Sequence, residues 1–221
     1  MTDSWTLTET PCAFNRRLGT DALFTLGNGY MGCRGFFEEE QEGVEGLGGI
    51  YMAGVFGKGA LKAWKGMHRE LVNTPNVFWL SIKVDGESVL VRPRRISGYL
   101  RTLDMRGGTM ARSFTWKGSR GARIRLEFER FVSAANLHLA GQRLRITPLD
   151  GPARIEVAAG IDASVRQHNM ETTLPLPIQP GRQHLETRFS RDGMIETRVA
   201  TLPRGVRIAE GQEVRMLGPK G

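Results

Sequence analysis

Hydrophobic and polar positions alternate along much of the chain with a period of two. In the segment ARIRLEFERF, Ile124, Leu126 and Phe128 fall between charged residues at every second position. Successive side chains of a β-strand point to opposite faces, so this pattern gives one face to a core and the other to water. One face of the segment TMARSFTW carries Met110, Arg112, Phe114 and Trp116. Both segments are predicted strands.

Short strands separated by frequent turns are predicted over most of the remaining sequence. Strand-like runs include FWLSIKV, RLRITPL, ARIEVAA and GVRIA, and DGE predicts a tight turn after the first of them. The segment HLETRFSRDGMIETRVA is typical of a hairpin centred on Asp192–Gly193. Helical signals are weak: KGALKAWKGMHREL predicts at most a turn or two of helix. Many short antiparallel strands indicate an all-β sandwich or barrel.

The stretch GNGYMG, residues 27–32, matches the G-x-G-x-x-G fingerprint of a dinucleotide-binding turn, and the strand-like run ALFTL precedes it. That fingerprint also needs a helix opening at the third glycine and an acidic residue about twenty positions further on. The following segment CRGFFEEEQEGVEG shows no amphipathic helix, and GGIYMAG has no Asp or Glu. We therefore expect no NAD site. The glycines instead predict a tight, low-bulk loop after a strand.

Composition and charge narrow the class of protein. The chain has 221 residues, 40% of them hydrophobic and 24% charged, which is ordinary for a soluble globular protein. No apolar run approaches the ~20 residues of a membrane helix. The first residues have neither a basic start nor an apolar core, which predicts no signal peptide and a cytoplasmic location. Net charge is +8, yet most of the basic residues are Arg spread singly along strand-like segments and no Lys/Arg-rich run occurs, so no nucleic-acid partner is expected.

No metal, cofactor or catalytic constellation is visible in the sequence. Cys12 and Cys33 lie far apart and the four histidines are scattered, so neither a metal nor a cofactor is predicted. The phosphate-loop signature GK[ST] and the nucleophile elbow G-x-S-x-G are absent. Carboxylates cannot be paired from sequence, and those on strands are expected to face solvent. Asp104, between Arg101 and Arg106, is predicted to form a local ion pair.

Seven motifs follow one another in a distinctive order. They are LFTLGNGYMGCRGFFEE, IYMAGVF, RELVNTPN, VDGE, YLRTLDMRGG, SFTW and RFVSAANLHLAGQRLRITPLDG. In this order they resemble the N-terminal domain of glycoside hydrolase family 65, which includes maltose, trehalose, kojibiose and nigerose phosphorylases and some hydrolases. The resemblance covers roughly residues 14–165 and rests on the order of the motifs, because no single motif is specific.

The resemblance implies a division of labour between domains. Family members carry an N-terminal antiparallel β-sandwich, similar to the galactose-mutarotase super-sandwich, followed by a linker and an (α/α) barrel. The barrel holds the general acid Glu and the phosphate pocket. In the phosphorylases, phosphate attacks the anomeric carbon of an α-glucoside with inversion, whereas the hydrolases use water.

Applied to this chain, the resemblance predicts a single N-terminal β-sandwich domain over residues 1–221. The sequence ends on the strand-like segment EVRMLGPKG, so we expect the catalytic barrel to be absent and the chain alone to be inactive. The α-glucoside disaccharide and phosphate would then be partners through the barrel, and a homodimer is a further expected assembly. No catalytic residue is assigned within the chain.

Three residues of the glycine-rich loop are candidates for contact with substrate or barrel. The segment LGNGYMGCRG has little side-chain bulk and is expected to pack closely at the active-site rim, where Asn28, Tyr30 and Arg34 would offer hydrogen bonds or a stacking face. A purely structural role stays open for two of them. Asn28 beside two glycines is a natural turn residue, and Tyr30 is suited to a core.

A free-standing carbohydrate-binding sandwich is the alternative function. Such domains stack exposed aromatic rings on sugars, and the chain has four tryptophans. Trp79 and Trp116 lie on predicted strands and are expected in the core. Trp64, in the Lys-flanked segment LKAWKG, is the best candidate for carbohydrate stacking.

Overall fold

The computed structural model describes residues 4–39, 48–58, 69–166, 185–191, 194–199 and 205–218. Within these ranges the chain forms short strands, one 3-10 turn and one α-helix. The strands are β1 (Thr6–Glu9), β2 (Leu26–Gly27), β3 (Met31–Cys33), β4 (Ile50–Lys58), β5 (Arg69–Thr74), β6 (Asn76–Val84), β7 (Glu87–Ser88), β8 (Ile96–Asp104), β9 (Thr109–Lys117), β10 (Arg123–Val132), β11 (Ala140–Pro148), β12 (Ile155–Asp162), β13 (Leu185–Arg191), β14 (Met194–Val199) and β15 (Arg207–Gly211). The 3-10 turn at Phe14–Arg16 leads into helix α1 (Arg17–Leu23).

The strands form four antiparallel sheets. The largest has the order β1–β8–β9–β10–β11, and the others are β2–β3–β4–β5, β12–β6–β7 and β13–β14–β15. The central hairpins are in continuous register, with Leu126 opposite Phe114 and Ile124 opposite Trp116 across β10 and β9. This arrangement confirms the predicted all-β antiparallel fold.

The period-two pattern of the sequence becomes the packing pattern of the sheets. Along β9 and β10 buried residues alternate with half-buried ones, and the buried set is the one predicted to face the core. Strand β6 does the same with Leu80, Ile82 and Val84. One apolar cluster joins these three strands across the interior, and so the five-stranded sheet and the sheet β12–β6–β7 are the two layers of a sandwich.

Two further clusters complete the interior. The first packs β2, β3 and β4 against the five-stranded sheet through residues such as Leu26, Cys33 and Met110. The second, the valine cluster, lies where β13 and β15 meet β4 and β5. It consists of Val55, Val72, Val165, Leu185 and Ile208.

One local prediction from the sequence is wrong, and a second lies mostly outside the described residues. The run ALFTL is not a strand, because its first residues end helix α1 and only Leu26 begins β2. Alanine and leucine favour helix, and the amide of Phe24 closes the last turn on the carbonyl of Thr20 at 3.2 Å. Residues 59–68 of the predicted helical segment KGALKAWKGMHREL lie outside the described residues, and its last residues, Arg69–Leu71, belong to strand β5.

Both predicted turns connect paired strands. Asp85 and Gly86 adopt positive φ values of 50° and 82° between β6 and β7, as expected for the DGE turn. Strand β13 pairs with β14 antiparallel, which confirms the predicted hairpin, although its tip at Asp192–Gly193 lies outside the described residues. Trp116 is buried in the core as predicted, whereas Trp79 is half-buried.

Replacing Gly35 by alanine should lower the free energy of unfolding by about 1–3 kcal/mol. The added Cβ would lie 2.5 Å from Cβ of Phe24 and 3.1 Å from its carbonyl oxygen, where helix α1 meets the chain after β3. Urea unfolding measures the change. Gly19→Ala is the matched control, because its Cβ would meet no heavy atom within 4 Å and alanine favours the helix. Equal midpoints for the two variants would contradict the packing argument.

Candidate functional site

The glycine fingerprint is the tip of a β-hairpin. Gly27 on β2 faces Gly32 on β3, and the amide of Asn28 donates to the carbonyl of Met31 at 3.1 Å. Gly29 has a φ of 87°, a value that side chains rarely adopt, so this position needs glycine. The chain continues along β3 and not into a helix. The hairpin therefore fits the predicted tight loop and lacks the helix N-terminus that would hold a dinucleotide.

Asn28 locks this hairpin to a second loop. Its Oδ1 accepts the backbone amides of Tyr30 and Met31 at 3.0 and 2.9 Å. Its Nδ2 donates to the carbonyls of Ser133 and Leu137 at 2.6 and 3.1 Å. An amide side chain offers two donors and two lone pairs, and all four are used. Asn28 is thus the turn residue that its neighbours predict, and its side chain has no bonding capacity left for a ligand.

The second loop, residues 133–139, connects β10 and β11. Its own polar groups hold it in shape, with the amide of Ser133 donating to the carbonyl of Leu139 at 2.9 Å and the amide of His138 to Oδ1 of Asn136 at 3.1 Å. The rings of Tyr30 and His138 touch, with centroids 4.2 Å apart and a tilt of 56°. We call the Gly27–Tyr30 turn and the Ser133–Leu139 loop together the rim patch.

The rim patch is an exposed, preformed surface. Tyr30 is half-buried, so the alternative that it is a core residue is wrong. Leu137 and Leu139 are 42% and 50% exposed beside it. Sequence reasoning missed the loop of residues 133–139, because its partnership with Asn28 spans more than a hundred residues. The motif SAANLHL, with the two turn-capping residues Ser133 and Asn136, was the available signal.

Arg34 lies apart from the rim patch, just beyond the other end of β3. Its amide donates to the carbonyl of Gly49 at 2.8 Å, and its own carbonyl accepts Nη2 of Arg130 at 2.8 Å. Its side-chain stem packs against Gly49, where an added Cβ would come within 2.9 Å of Cβ of Arg34. The structure therefore brings Asn28 and Tyr30 together and separates Arg34 from them. Trp64 lies outside the described residues.

Three buried arginines lie on neighbouring strands of the five-stranded sheet. Arg101 on β8, Arg112 on β9 and Arg130 on β10 are each 1% exposed. Arg112 is in phase with the core residues of β9, and Arg130 continues the apolar series of β10. A charged residue in phase with a core face was thus the sequence signal for this cluster, although its acidic partners could not be read from it.

The partners of Arg112 and Arg130 come from the segment after β3. Arg112 donates to Glu39 Oε1 and Glu38 Oε2, both at 2.7 Å, and makes a second contact with Glu39. Arg130 donates to the carbonyl of Phe36 at 2.8 Å and lies 3.7 Å from Glu38. We call residues Gly35–Glu39 the strap, because their carbonyl and carboxylate groups are held by guanidinium groups on β8, β9 and β10.

Arg101 fixes three separate segments at once. It donates to Glu9 Oε2 at 2.7 Å, to Asp21 Oδ1 at 2.8 Å and to the carbonyl of Gly35 at 2.6 Å. The predicted local ion pair of Asp104 with Arg101 or Arg106 is wrong, because Asp104 forms a salt bridge with neither of these described residues. Asp104 instead accepts the amides of Arg106 and Gly107 through Oδ1, both at 2.9 Å, and so closes the turn between β8 and β9.

Nearby guanidinium groups keep Glu38 charged, and aromatic rings flank Arg112. The guanidinium carbon of Arg112 lies 4.2 Å from the ring centroids of both Phe37 and Phe128. Burial alone would raise the pKa of Glu38, but Arg112 and Arg130 outweigh it and hold that pKa below its usual value. Glu38 therefore stabilises the fold above its unfolded-state pKa, and this contribution is lost as the pH falls.

These charged groups are arranged for structure and not for catalysis. A general acid or base must reach a substrate, whereas Glu38, Glu39 and the three arginines are buried, each in an ion pair within the fold. The thiols of Cys12 and Cys33 are free, and burial raises the pKa of each to about 11, so they are poor nucleophiles. Across the described ranges no group of three metal-ligating side chains occurs.

The fold and the site together define an antiparallel β-sandwich domain with a charged, sealed interior and an exposed two-loop tip. The chain belongs to glycosyl hydrolase family 65, since the model of that family's N-terminal domain matches residues 7–220. This confirms the resemblance carried by the seven motifs. No described helix is both long enough and apolar enough to cross a bilayer.

Comparison with individual proteins gives the extent of the match. The kojibiose phosphorylase of Halothermothrix orenii is 32% identical over 195 residues, which cover 86% of this chain and 24% of the relative. That of Thermoanaerobacter brockii is 34% identical, with 89% and 24% covered. A solved structure from the human microbiome, provisionally described as a kojibiose phosphorylase, shares the fold with a TM-score of 0.70 at 20% identity, over 92% of this chain and 26% of its own. The chain thus spans about a quarter of the length of these relatives.

Replacing Arg112 by methionine should lower the free energy of unfolding by about 3–5 kcal/mol, because Glu38 and Glu39 would remain buried without their main partner. Arg143→Met is the control, since Arg143 pairs with Glu129 on the exposed face and its loss should cost less than about 1 kcal/mol. Urea midpoints at neutral pH compare them. A similar small loss in both variants would contradict the role assigned to the buried pair.

Replacing Asn28 by alanine should loosen both loops of the rim patch and lower the free energy of unfolding by about 1–3 kcal/mol, because four hydrogen bonds are lost. Amide exchange should speed up at Tyr30, at Met31 and in residues 133–139. Asn136→Ala removes a cap inside the second loop alone and should leave the amides of the turn unchanged. The same pattern in both variants would show that Asn28 does not couple the loops.

Proposed function

We propose that this chain is the non-catalytic N-terminal domain of an inverting phosphorylase that acts on an α-glucosidic disaccharide and phosphate. The observation that carries the proposal is the family match over residues 7–220 in a chain that spans about a quarter of its relatives. Relatives named as kojibiose, trehalose and nigerose phosphorylases support this substrate class. Catalysis would belong to the barrel, since Glu38 and Glu39, the described carboxylates that lie side by side, are buried and paired with Arg112.

The rim patch is the part of the domain that we propose to meet the barrel and wall the substrate pocket. Tyr30 would supply the contact, because its ring is half-exposed and supported from one side by His138. Asn28 would hold the two loops in place and would not contact the substrate, since its side chain is fully bonded within the rim patch. Arg34 would contribute a barrel contact from the far end of β3.

Two exposed leucines favour protein contact as part of this role. Leu137 and Leu139 are held outward by a rigid loop, and exposed apolar side chains on a rigid tip suit a docking face. Support of the barrel and of a homodimer is included in the proposal. Action in the cytoplasm is expected too, where the free thiols of Cys12 and Cys33 stay reduced.

The alternative of a free-standing carbohydrate-binding module depends on Trp64, which lies outside the described residues. The exposed tryptophan in the described part is Trp5, and the guanidinium of Arg106 stacks over its ring at 5.7 Å. That stacking occupies one face of the ring. We therefore give the alternative no role in the proposal.

The chain alone should release no glucose 1-phosphate from kojibiose, trehalose or nigerose with phosphate. A hybrid in which it replaces the matching segment of the Halothermothrix orenii enzyme should release it from kojibiose. In that hybrid, Tyr30→Ala should raise KM for the disaccharide at least about threefold with little change in kcat, because the proposed contact is made in ground state and transition state alike.

Arg143→Ala, on the outer face of β11, is the control for that measurement and should leave KM unchanged. Turnover by the chain alone would contradict the division of labour. An active hybrid with unchanged KM in Tyr30→Ala would contradict the rim role and leave the family assignment intact.

A further inference from the structure

Glu210 is a buried acid without a polar partner. It lies on β15, is 8% exposed, and neither carboxylate oxygen has a hydrogen bond within the part of the chain that the structure describes. Every other buried carboxylate described above is bonded to a guanidinium group or a backbone amide. An isolated carboxylate in such a place is far more costly than a neutral carboxyl group.

The surroundings of Glu210 are apolar. It follows Ile208 by two residues on the inner face of β15, the face that packs on the valine cluster. Its cross-strand partner on β14 is Ile195, and Thr197 lies diagonally across, also buried and with an unbonded hydroxyl. The carboxyl group therefore sits in the contact between the sheet β13–β14–β15 and the strands β4 and β5.

Among the described residues, few charged groups face Glu210. The inner-face residues on the packed elements are Ile195, Thr197, Leu185, Val55, Val72, Val165 and Ile208. In the described part of the chain, the charged group on that face is the half-buried Glu70, two residues before Val72 on the same side of β5, and as an acid it offers no cation to Glu210. Glu196 on β14 and Arg207 on β15 lie on the outer faces of their strands. No described cation offsets a charge on Glu210.

We propose that Glu210 is a protonation-controlled latch for the sheet β13–β14–β15. As a neutral carboxyl group it lets this sheet close on the valine cluster, and loss of its proton to solvent favours opening of the sheet. The five-stranded sheet, held by the arginines and the strap, would stay closed. This inference does not depend on the proposed function.

The direction of the pH effect follows from burial. Burial raises the pKa of Glu210 from 4.5 to about 8 in the closed state. A raised folded-state pKa means that stability is full below the ordinary value and is lost as pH rises towards the folded value. Opening of β14 and β15 should therefore increase about tenfold per pH unit between about pH 5 and about pH 8, then level off.

Amide exchange of the full chain tests the latch, with rates corrected for the intrinsic pH dependence. In the wild type, exchange at Ile195, Thr197 and Ile208 should rise with pH as stated, while amides of β9 and β10 stay protected. Glu210→Gln should remove the dependence and slow exchange in β14 and β15 at about pH 8 by at least about tenfold. Glu196→Gln, one strand away on the outer face, should behave as the wild type.

Wild-type pH dependence in Glu210→Gln, or equal loss of protection in β9 and β10, would overturn the proposal. If Glu210→Gln fails to fold, a carbon-13 titration of the wild-type Glu210 carboxyl decides the matter. A titration midpoint of about 8 for this carboxyl group supports the latch, and a midpoint near the ordinary pKa of 4.5 overturns it.

Discussion

Burial of three guanidinium groups in one sheet is the constraint on which the rest of the structure depends. Arg101, Arg112 and Arg130 sit on adjacent strands, and a buried cation is tolerated only when carboxylates and carbonyls surround it. Glu9, on the first strand β1 of the same sheet, supplies one carboxylate, and the remaining partners come from Asp21 of helix α1 and from the strap. This requirement draws helix α1 and the segment after β3 onto the sheet.

Placement of the strap in turn places the rim patch. The strap begins at the end of β3, and β3 is one arm of the hairpin whose tip carries Asn28 and Tyr30. Asn28 then bonds that tip to the loop between β10 and β11. Strand β10 also carries Arg130. Strand β10 therefore holds the rim patch in two ways: Arg130 fixes the strap behind the hairpin, and the loop after β10 is bonded to Asn28 at its tip. This gives a surface that is rigid before any partner binds.

The sequence predicts what depends on neighbours along the chain and not what depends on distant ones. Alternation was enough for β6, β9 and β10, because each strand carries its own core face. Helix α1 could not be foreseen, since its Asp21 is secured by Arg101, eighty residues away. Asn28 is recognisable as a turn residue, whereas its bond to Ser133 is not. The in-phase arginines were visible, but Glu38 and Glu39 as their partners were not.

The buried ion pairs specify the position of the strap more than they add to the stability of the fold. An apolar core of equal volume can match a buried pair in stability. It would not distinguish one register of the strap from the next, whereas the fork of Arg112 donates to Glu38 and Glu39 together. A strap shifted so that residues 37 and 38 face the guanidinium fork would present Phe37 in place of one carboxylate. The charged interior thus specifies where the exposed hairpin stands.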